Sequence, residues 1–434
     1  MFSMLRRIRR IVRLVILLLI LAALWQVYQW LGTYAKKDEV ASVPAVSYEA
    51  LNHTYLQGLW LSQYDLSPMM TENGSQREIE DYRERVSEAV AHIKENGLNT
   101  LFVQLRPNGD ALYPSDLFPS SAYAVGQTGA PFSYDPFAVL LEVAHKEGLS
   151  VHAWINPLRL FREDALSALS DGYAHVGWCR EAGDRAVLWE GVWYLNPAYT
   201  EVRELIAEGV REILLRYEVD GIHMDDYFYP TTSEDFDRQS YERYRREGGM
   251  LSRSDFRRNA VNGLVSLLWQ TVHAEDGDRV FGISPSGNVV RNRNELYADT
   301  EYWCAGTGYV DYLCPQIYFG LGHESHDFLS VLGQFESMTD ASRVKLYVGL
   351  TLAKAYDGYY GQEDRYAGSG SREWIEEEDV LARCLALIEE RGRCEGVVFY
   401  SYRYLFSPES GERVVATETE WGAVLPYLLK NEKN

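Results

Sequence analysis

Cysteine is scarce in this chain: five in 434 residues (Cys179, Cys304, Cys314, Cys384 and Cys394), an odd number with no CxxC pair. That excludes a zinc ribbon or a disulfide-stapled scaffold, leaves at least one thiol unpaired within the chain, and gives no reason to expect a catalytic cysteine. A phosphate loop and a dinucleotide fingerprint are also missing. Gly58, in the first apolar run, is followed by Trp-Leu-Ser-Gln with no second glycine, which argues against an open nucleotide-binding sheet, so no cofactor is expected. The nine histidines form no HxH or HxxxH pair, which is weak ground for a catalytic zinc, and no metal is expected. There is no internal repeat and no low-complexity tract.

Acidic residues are absent from the first 37 positions, and residues 14–35 carry no Asp, Glu, Lys or Arg at all. At about 1.5 Å per residue this run spans roughly 30 Å, the thickness of a bilayer's hydrocarbon layer. Arg6, Arg7, Arg9, Arg10 and Arg13 precede it, and Trp25, Tyr28, Trp30 and Tyr34 cluster near its far end. Basic residues hold the cytoplasmic side and aromatic rings favour the interface. The run is longer than the apolar core of a cleaved signal peptide and shows no small-x-small site before Lys36, so it reads as an uncleaved signal anchor. The expected organisation is a cytoplasmic basic segment 1–13, a transmembrane helix 14–35, a spacer 36–54 and one domain, 55–430, outside the cell membrane. All 63 acidic residues lie from Asp38 onward, whereas seven of the 42 basic ones precede it. So acidic an outer part repels nucleic acid and anionic headgroups.

From Tyr55 a rhythm begins. Eight short apolar runs read as strands: Leu56–Ser62, Thr100–Arg106, Ser150–Asn156, Gly221–Asp225, Val280–Ser284, Val310–Tyr318, Leu346–Thr351 and Gly396–Tyr402. Most are rich in Val, Ile, Leu and Phe, as strands buried on both faces are. Helical patterns fall near 76–96, 135–147, 200–216, 253–275, 325–341 and 376–392. Alternation of this kind predicts an α/β fold, a (β/α)8 TIM barrel with long βα-loop insertions. The insertions at 107–134, 157–195, 226–252, 285–308 and 352–375 all follow strands, the face where such barrels keep their sites.

Strand side chains alternate, so residues two apart share a face. The sets expected to face inward turn polar or aromatic toward the C-terminal end: Trp60; Gln104 and Arg106; His152, Trp154 and Asn156; His223 and Asp225; Ser284; Gln316 and Tyr318; Tyr400. With Asn108 and Asp110 on the turn after the second strand, and Tyr227 and Tyr229 after the fourth, these form the expected substrate-binding set. The adjacent Asp225 and Asp226 are the expected catalytic pair, with Asp225 pointing into the mouth and Asp226 on the loop. Carboxyls side by side shift each other's pKa apart, so one can donate a proton while the other stays ionised, as glycoside hydrolysis requires. Asp110, Asp299 and Glu301 are further acids on loops. His152, His223, Gln104, Arg106, Asn156 and Gln316 also admit a purely structural role as core groups bracing one another.

The segments Asn99-Thr-Leu-Phe-Val-Gln-Leu-Arg-Pro-Asn-Gly-Asp110, Val151-His-Ala-Trp-Ile-Asn-Pro157, Val219-Asp-Gly-Ile-His-Met-Asp-Asp-Tyr-Phe-Tyr-Pro230, Phe281-Gly-Ile-Ser-Pro285 and Val310-Asp-Tyr-Leu-Cys-Pro-Gln-Ile-Tyr318 resemble successive signatures of the glycosyl-hydrolase-like family 10 proteins of bacterial envelopes. The resemblance runs from about Gln57 to Tyr402 and implies a TIM barrel acting on glycans, with cell-wall glycan strands as the substrate class. Asp220-Gly-Ile-His-Met-Asp225 is also similar to the DxxDxD run of family 18 chitinases, but Tyr227 stands where their glutamate lies and His223 replaces the middle Asp. The His223-x-Asp225 spacing is similar to the Arg-x-Asp of alpha-amylase barrels, whose acid after strand five has no counterpart in Ser284–Asn288. The expected function is hydrolysis of a β-linked, amino-sugar-containing envelope polysaccharide, peptidoglycan-type, at the barrel mouth. Two alternatives stand beside it: a non-catalytic glycan-binding barrel, and a metal-dependent hydrolase using His152, His223, Asp225 and Asp226.

Overall fold

Strands that are apolar on both faces need cover on both sides, and a closed barrel ringed by helices supplies it. In the computed structural model, which describes residues 49–275 and 278–431, eight strands close into one parallel barrel. They are β1 (Leu56–Leu61), β2 (Thr100–Arg106), β3 (Ser150–Ile155), β4 (Gly221–Met224), β5 (Val280–Ile283), β6 (Tyr312–Leu313), β7 (Lys345–Thr351) and β8 (Gly396–Tyr400). Each pairs with its sequence neighbour, and β8 returns to β1 with Leu56 opposite Gly396 and Leu59 opposite Phe399.

A helix follows every strand: α1 (Ile79–Glu95), α2 (Pro136–Lys146), α3 (Thr200–Arg216), α4 (Arg253–Glu275), α5 (Thr300–Ala305), α6 (Phe328–Met338), α7 (Val380–Arg391) and α8 (Glu418–Asn431). The expected barrel is thus the observed one. Two of these eight helices escaped the sequence pattern, α5 because six residues are too few to show a period and α8 because it lies past the last strand. The strand expected over Val310–Tyr318 shrinks to two residues. Pro315 has no N–H to give to the ladder, and pairing resumes only as isolated bridges from Gln316 to Ser286 and Gly349.

Alternation divides the strand residues between two apolar regions. Leu59, Leu61, Leu101, Val103, Val151 and Ala153 pack outward under the helices. Leu56, Trp60, Phe102, Trp154, Tyr312, Cys314, Tyr347 and Val398 fill the barrel itself. Rings of this size leave no room for a Cβ opposite them. One added at Gly282 collides with the Tyr312 ring, and one at Gly349 would stand 2.9 Å from Trp60. Burying each such ring contributes about 1.5–3 kcal/mol relative to leaving it exposed.

The long insertions sit on the C-terminal side. That after β3 forms a three-stranded antiparallel sheet (Arg159–Arg162, Ala186–Trp189, Val192–Leu195). That after β4 is pinned by Arg257 of α4, which meets both oxygens of Asp237 at 2.6 and 2.8 Å with both side chains buried. At the opposite end Asp220 accepts from the backbone N–H groups of Leu51 and Val151 at 2.5 and 2.6 Å, fastening the entry of β4. The cysteines are all free, four buried and Cys394 half-buried. The basic segment 1–13, the expected membrane helix 14–35 and the spacer up to residue 48 lie outside the described residues. Among the described residues no helix is long and apolar enough to cross a membrane.

Candidate active site

At the C-terminal mouth the strand ends enclose a cleft of about 150 Å³. Its walls include the expected Trp60, Gln104, Asn108, Trp154, Asn156, Asp225, Asp226, Tyr227, Ser284, Gln316, Tyr318 and Tyr400. Residues from seven of the eight strands or the turns just after them meet there.

Hydrogen bonds running in one direction aim donors at Asp225. The backbone N–H of Gln63 donates to Gln104 Oε1 at 2.9 Å, which turns the amide so that Nε2 donates to Asn156 Oδ1 at 2.7 Å. Asn156 therefore presents its Nδ2 to Asp225 Oδ2, where Trp154 Nε1 also donates at 3.1 Å. The backbone N–H of Tyr227 reaches Oδ1 at 3.1 Å. Three donors occupy three of the roughly four lone-pair positions of a carboxylate. One is left for a ligand.

Asp226 is held differently. Its Oδ1 accepts from Gln316 Nε2 at 3.2 Å, an amide oriented by the carbonyl and hydroxyl of Ser284 at 3.1 and 3.3 Å. Burial first, and then the charge on Asp226, push Asp225 up to about 8, and burial raises Asp226 as well. Two buried carboxyls side by side hold one proton between them at neutral pH, and the upper value marks its loss from the pair. Three N–H groups favour the anion on Asp225, and the charge of Arg291 with the Gln316 amide favours it on Asp226, so the proton belongs to the pair.

Below the floor lie the two histidines. Trp60 Nε1 donates to His223 Nε2 at 3.2 Å, and the Tyr312 hydroxyl sits 3.0 Å from His223 Nδ1 and 2.9 Å from His152 Nδ1. Burial lowers His152 to about 4 and His223 well below its usual range. Neither lines the cleft. They are satisfied core groups that carry Trp60, and among the described residues no three His, Cys, Asp or Glu side chains are grouped to hold a metal ion.

Three further expected positions turn away from the cleft. Arg106 follows a register slip in β2: Gln104 pairs with Trp154 but Arg106 with Ile155, so Arg106 joins the outward face. Its guanidinium lies 4.1 Å from the Phe118 ring centroid and against Gly209 of α3. Asp110 is buried, its Oδ1 accepting from the Asn108 N–H at 3.0 Å, because the turn through Gly109 (φ +67°) folds the carboxyl back on itself. Tyr229 is buried between Phe236 and Tyr297, since alternation ends with the strand and the chain turns away after Asp226. Asp299 pairs with Arg293 at 2.7 Å and Glu301 is exposed on α5, both apart from the cleft lining.

Five lining residues outside the expected set are Ser62, Gln63, Tyr64, Pro107 and Arg159. Gln63 and Tyr64 follow the cap residue Ser62, whose N–H and hydroxyl both donate to the buried Asp65 at 2.7 and 2.5 Å. Asp65 Oδ1 accepts from the N–H of Arg403 at 2.7 Å, tying the end of β1 to the segment after β8. The Ser-x-x-Asp spacing is a capping-box signal that marks this turn in sequence. For Arg159, three residues beyond Asn156, the sequence offers no comparable sign.

A closed (β/α)8 barrel with a buried carboxyl pair at its C-terminal mouth, walled by tryptophan, tyrosine and amide side chains, has the build of a glycoside-hydrolase-like enzyme. Residues 55–367 match the family model described as Glycosyl hydrolase-like 10, and the chain belongs to that family. It is similar to glycosyl hydrolase DigH of Escherichia coli (strain K12), 31% identical over 402 residues that cover 85% of this chain and 88% of that protein. It is also similar to glycosyl hydrolase YngK of Bacillus subtilis (strain 168), 32% identical over 343 residues, covering 74% of this chain and 65% of that protein. Among solved structures, the glycoside hydrolase domain of PgaB (BpsB) from Bordetella bronchiseptica matches with a TM-score of 0.56 at 12% identity, over 86% of this chain and 99% of that one. The endo-1,4-beta-mannanase of Rhizomucor miehei matches at 0.53 and 10%, over 88% and 96%. At these identities the two structures share the fold.

Proposed function

We propose that this protein hydrolyses a β-linked, amino-sugar-containing glycan of the cell envelope, of the peptidoglycan type, with its barrel held outside the membrane by the N-terminal segment. The observation that carries the reading is the unequal pair: Asp225 met by three N–H donors, Asp226 beside it met by one amide, both in one cleft. Asp226 is the proton donor to the leaving oxygen, and Asp225 keeps the negative charge.

Among the described residues no third carboxyl lines the cleft. Direct displacement on a sugar uses carboxyls flanking the scissile bond, whereas neighbours at one strand end stand together, a situation suited to substrate-assisted chemistry. The 2-acetamido oxygen would bond to C1 as the glycosidic bond breaks, its N–H resting on the open lone pair of Asp225. Water then adds to C1, opens the ring so formed and returns a proton to Asp226. Among the described residues Arg159 is the one cation lining the cleft; its guanidinium makes no hydrogen bond or ion pair, and the guanidinium carbon lies 5.5 Å from the Tyr227 ring centroid. It suits a carboxylate on the glycan.

Product analysis by mass spectrometry after incubation with defined wall-glycan strands, with and without stem peptides, tests the reading. New reducing ends, formed with retained anomeric configuration, support it. Their absence from every strand would overturn it.

A further inference from the structure

The cleft is not where the aromatic surface stops. Tyr318 and Tyr400 in its wall have ring centroids 6.2 Å apart, and from Tyr400 the contacts run outward without a gap. Tyr400 meets Tyr404 at 6.3 Å, Tyr404 meets Tyr356 at 5.4 Å, Tyr356 meets Tyr360 at 5.1 Å and Tyr360 meets Tyr359 at 5.2 Å. Tyr404 comes from the short helical turn Tyr402–Tyr404 after β8, and Tyr356 and Tyr359 from the helix Ala353–Tyr359 after β7, with Tyr360 directly following. All therefore belong to the face that carries the cleft.

Exposure rises along this series. Tyr400, Tyr404 and Tyr356 are half-buried, whereas Tyr360 and Tyr359 are 60% and 59% exposed. Large rings left open to water at the end of an unbroken chain of ring contacts are surplus to the folding core, and contiguous exposed apolar surface marks a binding site. Phenol rings combine an apolar face with a hydroxyl, which matches the C–H face and hydroxyl rim of a pyranose.

We propose that Tyr404, Tyr356, Tyr360 and Tyr359 form a track that binds the distal sugars of a glycan whose cleavage point lies at Asp225 and Asp226, so that the protein selects long chains. The occupant follows from continuity: the track begins on Tyr400, a wall of the cleft, and its ring-to-ring steps are on the scale of one sugar in an extended chain. The proposal rests on the glycan reading of the cleft and adds a preference for chain length to it.

The test uses the full-length protein and β-1,4-linked N-acetylglucosamine oligosaccharides of increasing length, with affinity measured by calorimetry and turnover measured separately. Wild-type affinity is expected to rise with length beyond the sugars the cleft holds. The double variant Tyr359→Ala/Tyr360→Ala is expected to lose about tenfold affinity for the longest chains and to keep wild-type binding of the shortest, the scale of one or two lost aromatic contacts. Tyr359→Phe/Tyr360→Phe, which keeps the rings, is expected to retain it. Length-independent wild-type binding, or a double alanine variant that binds long chains as tightly as wild type, overturns the track even where turnover persists. Length-dependent binding that the double alanine variant loses upholds the track whether or not these chains are cleaved, and hydrolysis is judged separately on the wall-glycan strands.

Discussion

The indole N–H of Trp60 donates to Nε2 of His223, and that single bond fixes the proton on every group behind the cleft floor. An indole nitrogen can only donate, so Nε2 of His223 is bare and Nδ1 carries the proton of the neutral ring. Nδ1 therefore donates to the Tyr312 hydroxyl, which in turn donates a hydrogen bond to Nδ1 of His152. Trp60 is thereby held as a rigid wall of the cleft.

Replacing Trp60 with Phe leaves His223 Nε2 buried without a donor, and is expected to cost about 1–3 kcal/mol of stability. Nitrogen NMR on labelled histidine reads the tautomers directly. A His223 protonated at Nε2, or titrating near neutral pH, sinks this arrangement.

Asp226→Asn removes the shared proton, and turnover is expected to fall by about 10²–10⁴-fold with binding retained. Asp225→Asn is expected to lose turnover comparably while sugar still binds, which separates an enzyme from a glycan-binding barrel. Kinetics and calorimetry on the same variants check both.

Activity is expected to decline as pH rises through about 8, where the pair gives up its last proton. The same shift sets a stability trend. A carboxyl raised by burial binds its proton more tightly folded than unfolded, so its contribution is full below the unfolded carboxyl range and is lost as pH rises through about 8. Melting temperatures of wild type and Asp225→Asn measured across that window should converge at low pH and favour the variant above it.

Gly282→Ala forces a methyl against the Tyr312 ring and is expected to destabilise the barrel by about 1–3 kcal/mol. Arg257→Ala leaves the buried Asp237 with Arg253 as its remaining guanidinium partner and is expected to cost about 1–3 kcal/mol. Denaturant midpoints measure both, and wild-type stability in either would contradict the packing described.

Arg159→Gln is expected to raise KM for a glycan carrying free carboxylates while leaving a carboxyl-reduced glycan unaffected. Equal effects on the two would remove the anion-binding role.

Much of this protein was legible in the sequence because its strands are short, apolar on both faces and regularly spaced, a pattern that only a parallel sheet under helices satisfies. Period-two alternation also put Trp60, Gln104, Trp154, Asn156 and Asp225 on the inner face, since backbone geometry alone dictates it. What alternation cannot report is where a strand slips or stops. The register slip between Gln104 and Arg106 sent Arg106 to the helices, the turn at Gly109 drew Asp110 inward, and the chain reversal after Asp226 buried Tyr229 in its own loop. Depth along the axis was equally hidden: His152 and His223 share the inner face with the cleft residues but sit one layer below it. The sequence by itself determined the barrel, the acidic pair and the face they share, because these follow from local periodicity. Only the tertiary structure decided how three donors converge on Asp225 and one on Asp226, because those donors come from strands and loops distant in the chain, and their relative placement is set by closure of the whole barrel.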